Sequence, residues 1–235
     1  MARAVKEEQY AVRRNEILDV AQRLIFTQGY EQTSIQHLLD ELGISKGAFY
    51  HYFSSKQALL EALIERMVEE AQQVIDPILN DSNLPPLEKL EVYFSTLARW
   101  KTAQKAYLMA LLYAWYSDDN LVVRQKMQTR ILAEFTPMLT GVIQQGIQQG
   151  VFASPFPNQV GEVVLSLMQN LGDALARMLM TPEASQNTLQ AFQDTLAAYT
   201  DALERVLGAP SNSLHLFDLE TLKEWIPPPT PTRSP

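Results

Sequence analysis

The chain has no cysteine, which excludes disulfide staples, thiol-based redox sensing and thiolate-ligated zinc. Histidine is scarce as well. The three residues, His37, His51 and His215, have no second histidine at ligand spacing, so no metal site is expected. His37 reads most simply as an exposed helix residue. Long hydrophobic runs are missing too: the longest, residues 106–116, has eleven members, whereas a membrane-spanning helix needs about 20. Residues 1–14 are polar and mixed in charge, without the apolar centre of a signal peptide. These absences predict a soluble cytoplasmic protein. With no Ser-His-acid set and no glycine-rich phosphate loop, neither an enzyme nor a bound cofactor is expected.

What is present is ordinary globular material. The 235 residues are 46% hydrophobic and 20% charged, and a chain of this size buries roughly 70% of its unfolded surface without covalent help. Basic charge is the short supply: 19 Lys and Arg oppose 27 Asp and Glu, a net −8. Taken whole, that balance disfavours a polyanionic partner. Its distribution points the other way. Residues 1–56 hold seven bases and seven acids, so the rest of the chain carries the entire −8. No Asp or Glu occurs from Leu42 to Leu60. Inside that window the string Gly43-Ile44-Ser45-Lys46-Gly47-Ala48-Phe49-Tyr50-His51-Tyr52-Phe53-Ser54-Ser55-Lys56 gathers two lysines, three serines, two tyrosines and a histidine. A short basic, aromatic, hydroxyl-rich helix after a glycine turn suits a phosphate backbone.

The apolar period is helical throughout and no sustained alternation marks a strand, so the fold class is all-α. Ile17, Leu18, Ala21, Leu24 and Ile25 form one helical face that ends at Gly29. Thr33 or Ser34 caps a second helix with Ile35, Leu38, Leu39 and Leu42 inward. Gly43 makes the turn, and Ser45 caps a short third helix to about Tyr52. Ser54 or Ser55 opens a long fourth helix, with Pro77 in its last turn or at a kink. Residues 80–86 read as a linker, and Pro85-Pro86 opens a fifth helix. The run 106–116, apolar on every side, reads as the central helix of a bundle. Residues 118–149 read as one helix interrupted at Pro137, Gly141 and Gly146. Two amphipathic helices follow, about nine in all. The tail 209–235 carries a short apolar pattern (Leu214, Phe217, Leu222, Trp225) and a Pro-rich end read as disordered.

Helices at about 34–42 and 45–52, joined at Gly43, have the size and spacing of a helix-turn-helix, whose second helix enters the major groove. Lys46 and Gly47 sit in its first turn, and Tyr50 and Lys56 lie where a phenol and an ammonium reach phosphate oxygens. Thr33 and Ser34 offer hydroxyls and backbone N–H groups to another phosphate. Phe49 and Phe53, four apart, read as core. Of Tyr50 and Tyr52, two apart, only one faces inward on a helix, though both are DNA candidates.

The string Phe26-Thr27-Gln28-Gly29-Tyr30, Thr33-Ser34, Gly43 to Tyr50, Tyr52-Phe53 and Lys56-Gln57-Ala58-Leu59, within residues 13–63, resembles the tetracycline-repressor (TetR) family of bacterial transcription regulators. The resemblance covers about a fifth of the chain. It implies a homodimer with a three-helix DNA-binding domain in each subunit, a helical ligand-binding and dimerisation bundle, a pseudo-palindromic double-stranded operator, and a small-molecule effector that releases it. By the same resemblance Thr33, Ser45, Lys46, Tyr50, Tyr52 and Lys56 meet the DNA backbone, while Ala48 and His51 meet bases. Leu39 and Leu42 stand where the family often has small residues. Tyr52 stands where it often has histidine.

The expected division is 1–56 for DNA binding (motif about 34–53), 57–208 for ligand binding and dimerisation, and 209–235 for the tail. Tyr93, Trp100, Tyr107, Tyr113, Trp115 and Tyr116, with Met109, Met127, Met138, Met168 and Met178, are candidate walls of an apolar pocket, which needs such side chains and a few polar tips. A plain bundle core is the competing reading of the same residues. The small residues Gly161, Ser166, Gly172 and Ala176 let helices approach, so a two-fold interface is expected around Gly161, Leu167, Gly172, Leu175, Phe192, Leu196, Tyr199 and Leu203. The leading expectation is a dimeric repressor released by a small apolar or aromatic ligand. The alternative is a ligand-independent, DNA-bound interaction protein.

Overall fold

Three serines start three helices near the N-terminus. Ser34 Oγ accepts from His37 N at 3.1 Å, Ser45 Oγ from Ala48 N at 3.2 Å and Ser55 Oγ from Ala58 N at 3.0 Å. Each satisfies a backbone donor that the first turn of a helix would otherwise leave bare. The computed structural model describes residues 2–181, 188–217 and 219–226. Among them are ten α-helices and no strand: α1 (Ala2–Gln28), α2 (Ile35–Leu42), α3 (Lys46–Tyr52), α4 (Lys56–Leu79), α5 (Pro86–Ala103), α6 (Lys105–Tyr116), α7 (Leu121–Gln148), α8 (Val160–Met180), α9 (Thr188–Leu207) and α10 (Leu219–Trp225). A 3-10 turn at Asp118–Asn120 precedes α7. No helix among the described residues is long and apolar enough to cross a membrane.

The helices divide into two compact units, Met1–Glu69 with Gln104–Gln128, and Glu70–Ala103 with Thr129–Pro235. The helix-turn-helix lies within the first. That unit's core takes Ile17, Leu18, Ala21 and Ile25 from α1, Leu38 and Leu39 from α2, Phe49 and Phe53 from α3 and its end, and Leu59, Leu60 and Leu63 from α4. Tyr107, Leu111 and Ala114 of α6 and Val123 and Met127 of α7 also belong to it. Here the structure departs from the reading of residues 106–116 as a central helix apolar on all sides. α6 packs on α1 and leaves Tyr113 63% exposed. Hydropathy records how apolar a helix is, not how many neighbours cover it.

In the second unit α8 and α9 pack together, and α10 packs on α5. Its buried residues include Leu90, Tyr93 and Phe94 of α5, Phe135, Leu139 and Ile143 of α7, Val164 and Leu171 of α8, and Phe192 and Leu203 of α9. The tail is docked as far as it is described. Leu214, Leu216 and Leu222 are buried, and Trp225 Nε1 donates to Thr102 Oγ1 at 2.8 Å. The Glu204 carboxylate accepts the backbone N–H groups of Asn212, Ser213 and Leu214. α10 is the helix beyond the nine expected. The Pro-rich segment 227–235, expected to be disordered, lies outside the described residues.

α1 begins at Ala2, well before the apolar face that opens at Ile17, because its first half is held by helix-favouring Ala, Lys, Glu, Gln and Arg, to which apolar periodicity is blind. One other expectation needs correction. α7 runs unbroken through Pro137, Gly141 and Gly146; a helix held by a buried face absorbs one lost N–H and a weak propensity. Gly146 serves a close approach instead, since a Cβ there would overlap the Phe152 ring.

Candidate nucleic-acid interface

Gly43 makes the turn between α2 and α3 in the left-handed region, φ 60° and ψ 35°, a conformation glycine adopts without steric cost. Its N–H and that of Ile44 both return to the Leu39 carbonyl. α3 is seated from below by Phe49, fully buried, and by Phe53, 3% exposed, whose rings lie 5.8 Å apart. With one face pinned, the other presents Lys46, Gly47, Tyr50 and His51 exposed and Ala48 partly so. Lys46 Nζ sits 6.0 Å from the Tyr50 ring centroid, an i, i+4 pair that keeps cation and phenol together. Gly47 has only Ser45 Oγ within 4 Å of where a Cβ would stand, so its missing side chain leaves open space.

The two acids that bracket the carboxylate-free window are each matched by a cation. Arg23 Nη2 reaches Glu41 at 2.8 Å, and Lys126 Nζ contacts both Glu61 oxygens at 3.2 Å. These exposed pairs add little stability, but they mute the two negative charges nearest α3 in sequence. Lys56 is held otherwise: its Nζ lies 4.1 Å from the Tyr30 ring centroid and 3.4 Å from the Glu31 carbonyl. Partial burial lowers its pKa and the Glu31 charge pulls the other way. The Tyr30 hydroxyl donates to the Lys56 carbonyl at 3.4 Å, and burial pushes its phenol pKa up.

Thr33 is placed differently from its expected role. It is 2% exposed, and its hydroxyl donates to the Gly29 carbonyl at 2.8 Å while accepting from Gln28 Nε2 at 3.3 Å. The side chain braces the turn before α2 rather than facing outward. Ser34, half-buried, spends its oxygen on the α2 cap, as Ser45 does on α3. Tyr52 is half-buried and packs on the core. Its ring also meets that of Tyr10, centroids 4.8 Å apart. Tyr10 and Arg14 of α1 went unassigned in the sequence. Arg14 lies 5.3 Å from the Phe53 ring and lines an open groove of about 420 Å³ with Tyr50, His51, Tyr52, Glu61 and Glu65. Only their distance in sequence hid them; a tyrosine and an arginine on a polar helix carry no periodic signal.

The residues expected to line one pocket are split between the compact units. Tyr93, Trp100 and Met168 fall in the second unit, where burial raises the Tyr93 phenol pKa to about 12. Tyr107, Met109, Tyr113, Trp115 and Met127 fall in the first. Tyr107 and Met127 belong to its core cluster, and Trp115 packs against it. Of the expected interface residues, Gly161 is used within the chain: a Cβ there would overlap Thr140 of α7. Phe192 and Leu203 are 1% and 0% exposed, already consumed by the core of their own chain. Leu167, Leu175, Leu196 and Tyr199 are half-buried, while Gly172 is exposed with nothing near its Cβ position.

Comparison with known proteins places this geometry. Residues 17–63 match the model of bacterial regulatory proteins of the tetR family, and residues 113–194 match a tetracyclin repressor-like C-terminal domain. The HTH-type transcriptional repressor KstR2 of Rhodococcus jostii is 26% identical over 146 residues, 60% of this chain and 69% of that protein. The HTH-type transcriptional repressor DhaR of a Mycobacterium species is 25% identical over 84 residues, 36% of this chain and 42% of that protein. A TetR-family regulator structure from Pectobacterium atrosepticum superimposes with a TM-score of 0.62 at 18% identity, covering 86% of this chain and 98% of that one. That likeness is one of fold.

Proposed function

We propose that this chain, which belongs to the TetR family of DNA-binding transcription regulators, is a dimeric repressor released from its operator by a small apolar or aromatic molecule. The observation that carries the reading is the outer face of α3. Lys46, Tyr50 and His51 stand exposed on a helix pinned by Phe49 and Phe53, and the flanking Glu41 and Glu61 are each paired with a cation. Lys46, Tyr50 and Lys56 hold phosphate oxygens, with Ser45 and Tyr52 beside them. The backbone N–H groups after Ser34 face another phosphate, and Thr33 fixes the turn that aims them. Ala48 and His51 meet base edges.

A neutral module binds weakly alone, so two copies act together, their recognition helices roughly 34–36 Å apart on one pseudo-palindromic operator. The half-buried residues of α8 and α9 (Leu167, Leu175, Leu196, Tyr199) and the open Gly172 supply the two-fold contact. Tyr93, Trp100 and Met168 offer apolar walls for the effector. α4 and α7 are continuous across the boundaries between the units, so a shift of α4 on effector binding would change the helix separation, a coupling of two sites. The protein works in the cytoplasm with the chromosome, and no catalytic role is assigned.

The second reading is a DNA-bound interaction protein without an effector. Selection and sequencing of duplexes bound by the purified protein tests the first reading. Enrichment of a palindrome bound by a dimer, as judged by sedimentation, is expected, and no enriched sequence would sink it. A thermal shift across an apolar ligand library, with loss of DNA binding for the hits, separates the two; a flat response favours the interaction protein.

A further inference from the structure

We infer that Tyr10 is a specificity-determining residue that acts through His51. The proposal rests on the reading of α3 as the recognition helix and names a part of its machinery that lies outside the helix-turn-helix.

Tyr10 is on α1, 39% exposed. Its ring meets His51 edge-on, with centroids 5.6 Å apart and planes at 80°. It also lies tilted on Tyr52 at 4.8 Å and 34°. Tyr52 in turn meets His51 edge-on at 5.1 Å and 80°. The three rings close a triangle in which two members come from α3 and one from a helix 41 residues earlier.

The physical consequence concerns order. An exposed imidazole at the end of a seven-residue helix samples several rotamers, and a base contact must select one of them at an entropic cost. Edge-to-face aromatic contacts prefer defined geometries. Held on two sides, the His51 ring is directed before DNA arrives, and the ring nitrogen that faces a base edge is presented at a fixed angle. Tyr52 cannot do this alone, because adjacent residues of one helix point about 100° apart. Tyr10 supplies the second side. It touches the ring that reads rather than the base that is read, so it is a positioning residue.

The test uses the full-length protein and four variants: Tyr10→Ala, Tyr10→Phe, His51→Ala and the Tyr10→Ala/His51→Ala double. Each is put through selection from a random duplex pool, and affinities are measured on the wild-type consensus and on random DNA. His51→Ala is expected to relax one or two base positions. Tyr10→Ala is expected to relax the same positions and weaken consensus binding roughly threefold to tenfold, the scale of an aromatic pair. Binding to random DNA and the salt slope, both set by phosphate contacts, should move less than about twofold. Tyr10→Phe should restore the wild-type profile, since the ring and not the hydroxyl makes the contacts. The double variant should be no worse than His51→Ala.

A wild-type base profile in Tyr10→Ala overturns the proposal. So does a uniform loss on all sequences, which marks a purely structural role, or effects that add in the double variant. If the wild-type protein enriches no sequence at all, the DNA-reading assignment fails first. If it enriches one that His51→Ala leaves intact, only the role of the triangle fails.

Discussion

α3 and α6 belong to the same compact unit and are both short, yet they present opposite problems. α3 has seven residues, one of them buried, and a mixed surface of lysine, tyrosine and histidine. α6 has twelve residues, almost all apolar, of which Tyr107, Leu111 and Ala114 are buried and Tyr113 stands 63% exposed. The polar helix has a fully determined seat and the apolar one does not. A helix with a single fully buried side chain has one way to dock, whereas a helix apolar all round docks by any face, and its neighbours choose which.

The comparison breaks first at the seat. Phe49→Ala removes the buried ring under α3 and is expected to lower stability by about 3–5 kcal/mol, read from urea unfolding. If the loss stayed below about 1 kcal/mol, α3 would not be held by this contact. Next comes the surface the seat supports. Lys46→Ala should leave the melting temperature unchanged but reduce the slope of log affinity against log salt by about one, the signature of one lost phosphate contact. An unchanged slope would remove Lys46 from the DNA face. The smallest effect is expected at α6, where Tyr113→Ser should alter subunit stability by no more than about 0.5 kcal/mol, as at other exposed positions. A larger loss, measured together with the sedimentation coefficient, would mean that this face is covered in the assembled protein.

Much of the first unit was legible because its signals are local. A serine cap, a left-handed glycine and an i, i+4 pair of phenylalanines each act within a few residues. Thus α2, with its Gly43 turn and the second of its two candidate caps, Ser34, and α3, with its Ser45 cap, lie where the sequence placed them. The window without carboxylates was legible for the same reason. Its electrostatic completion was not, because Arg23 finds Glu41 from 18 residues away and Lys126 finds Glu61 from 65. Tyr10 escaped notice likewise, its partners lying on a helix that sequence spacing does not relate to it. In the second unit the period of α8 and α9 was readable, but not which face each residue would spend inside its own chain. Gly161 went to Thr140, and Phe192 and Leu203 went to the core.

By itself, then, the sequence determined the all-helical class, the helix-turn-helix, the Ser45 cap of its second helix and the basic, aromatic face that carries the family's signature. Each follows from forces that act over one or two turns of chain. Only the tertiary structure decided that Thr33 turns inward, that the aromatic residues near the middle of the chain divide between two units, and that a tyrosine on α1 closes a ring triangle with α3. Those outcomes depend on which distant surfaces meet, and side chains of similar hydropathy are distinguished there by shape and reach rather than by position in the chain.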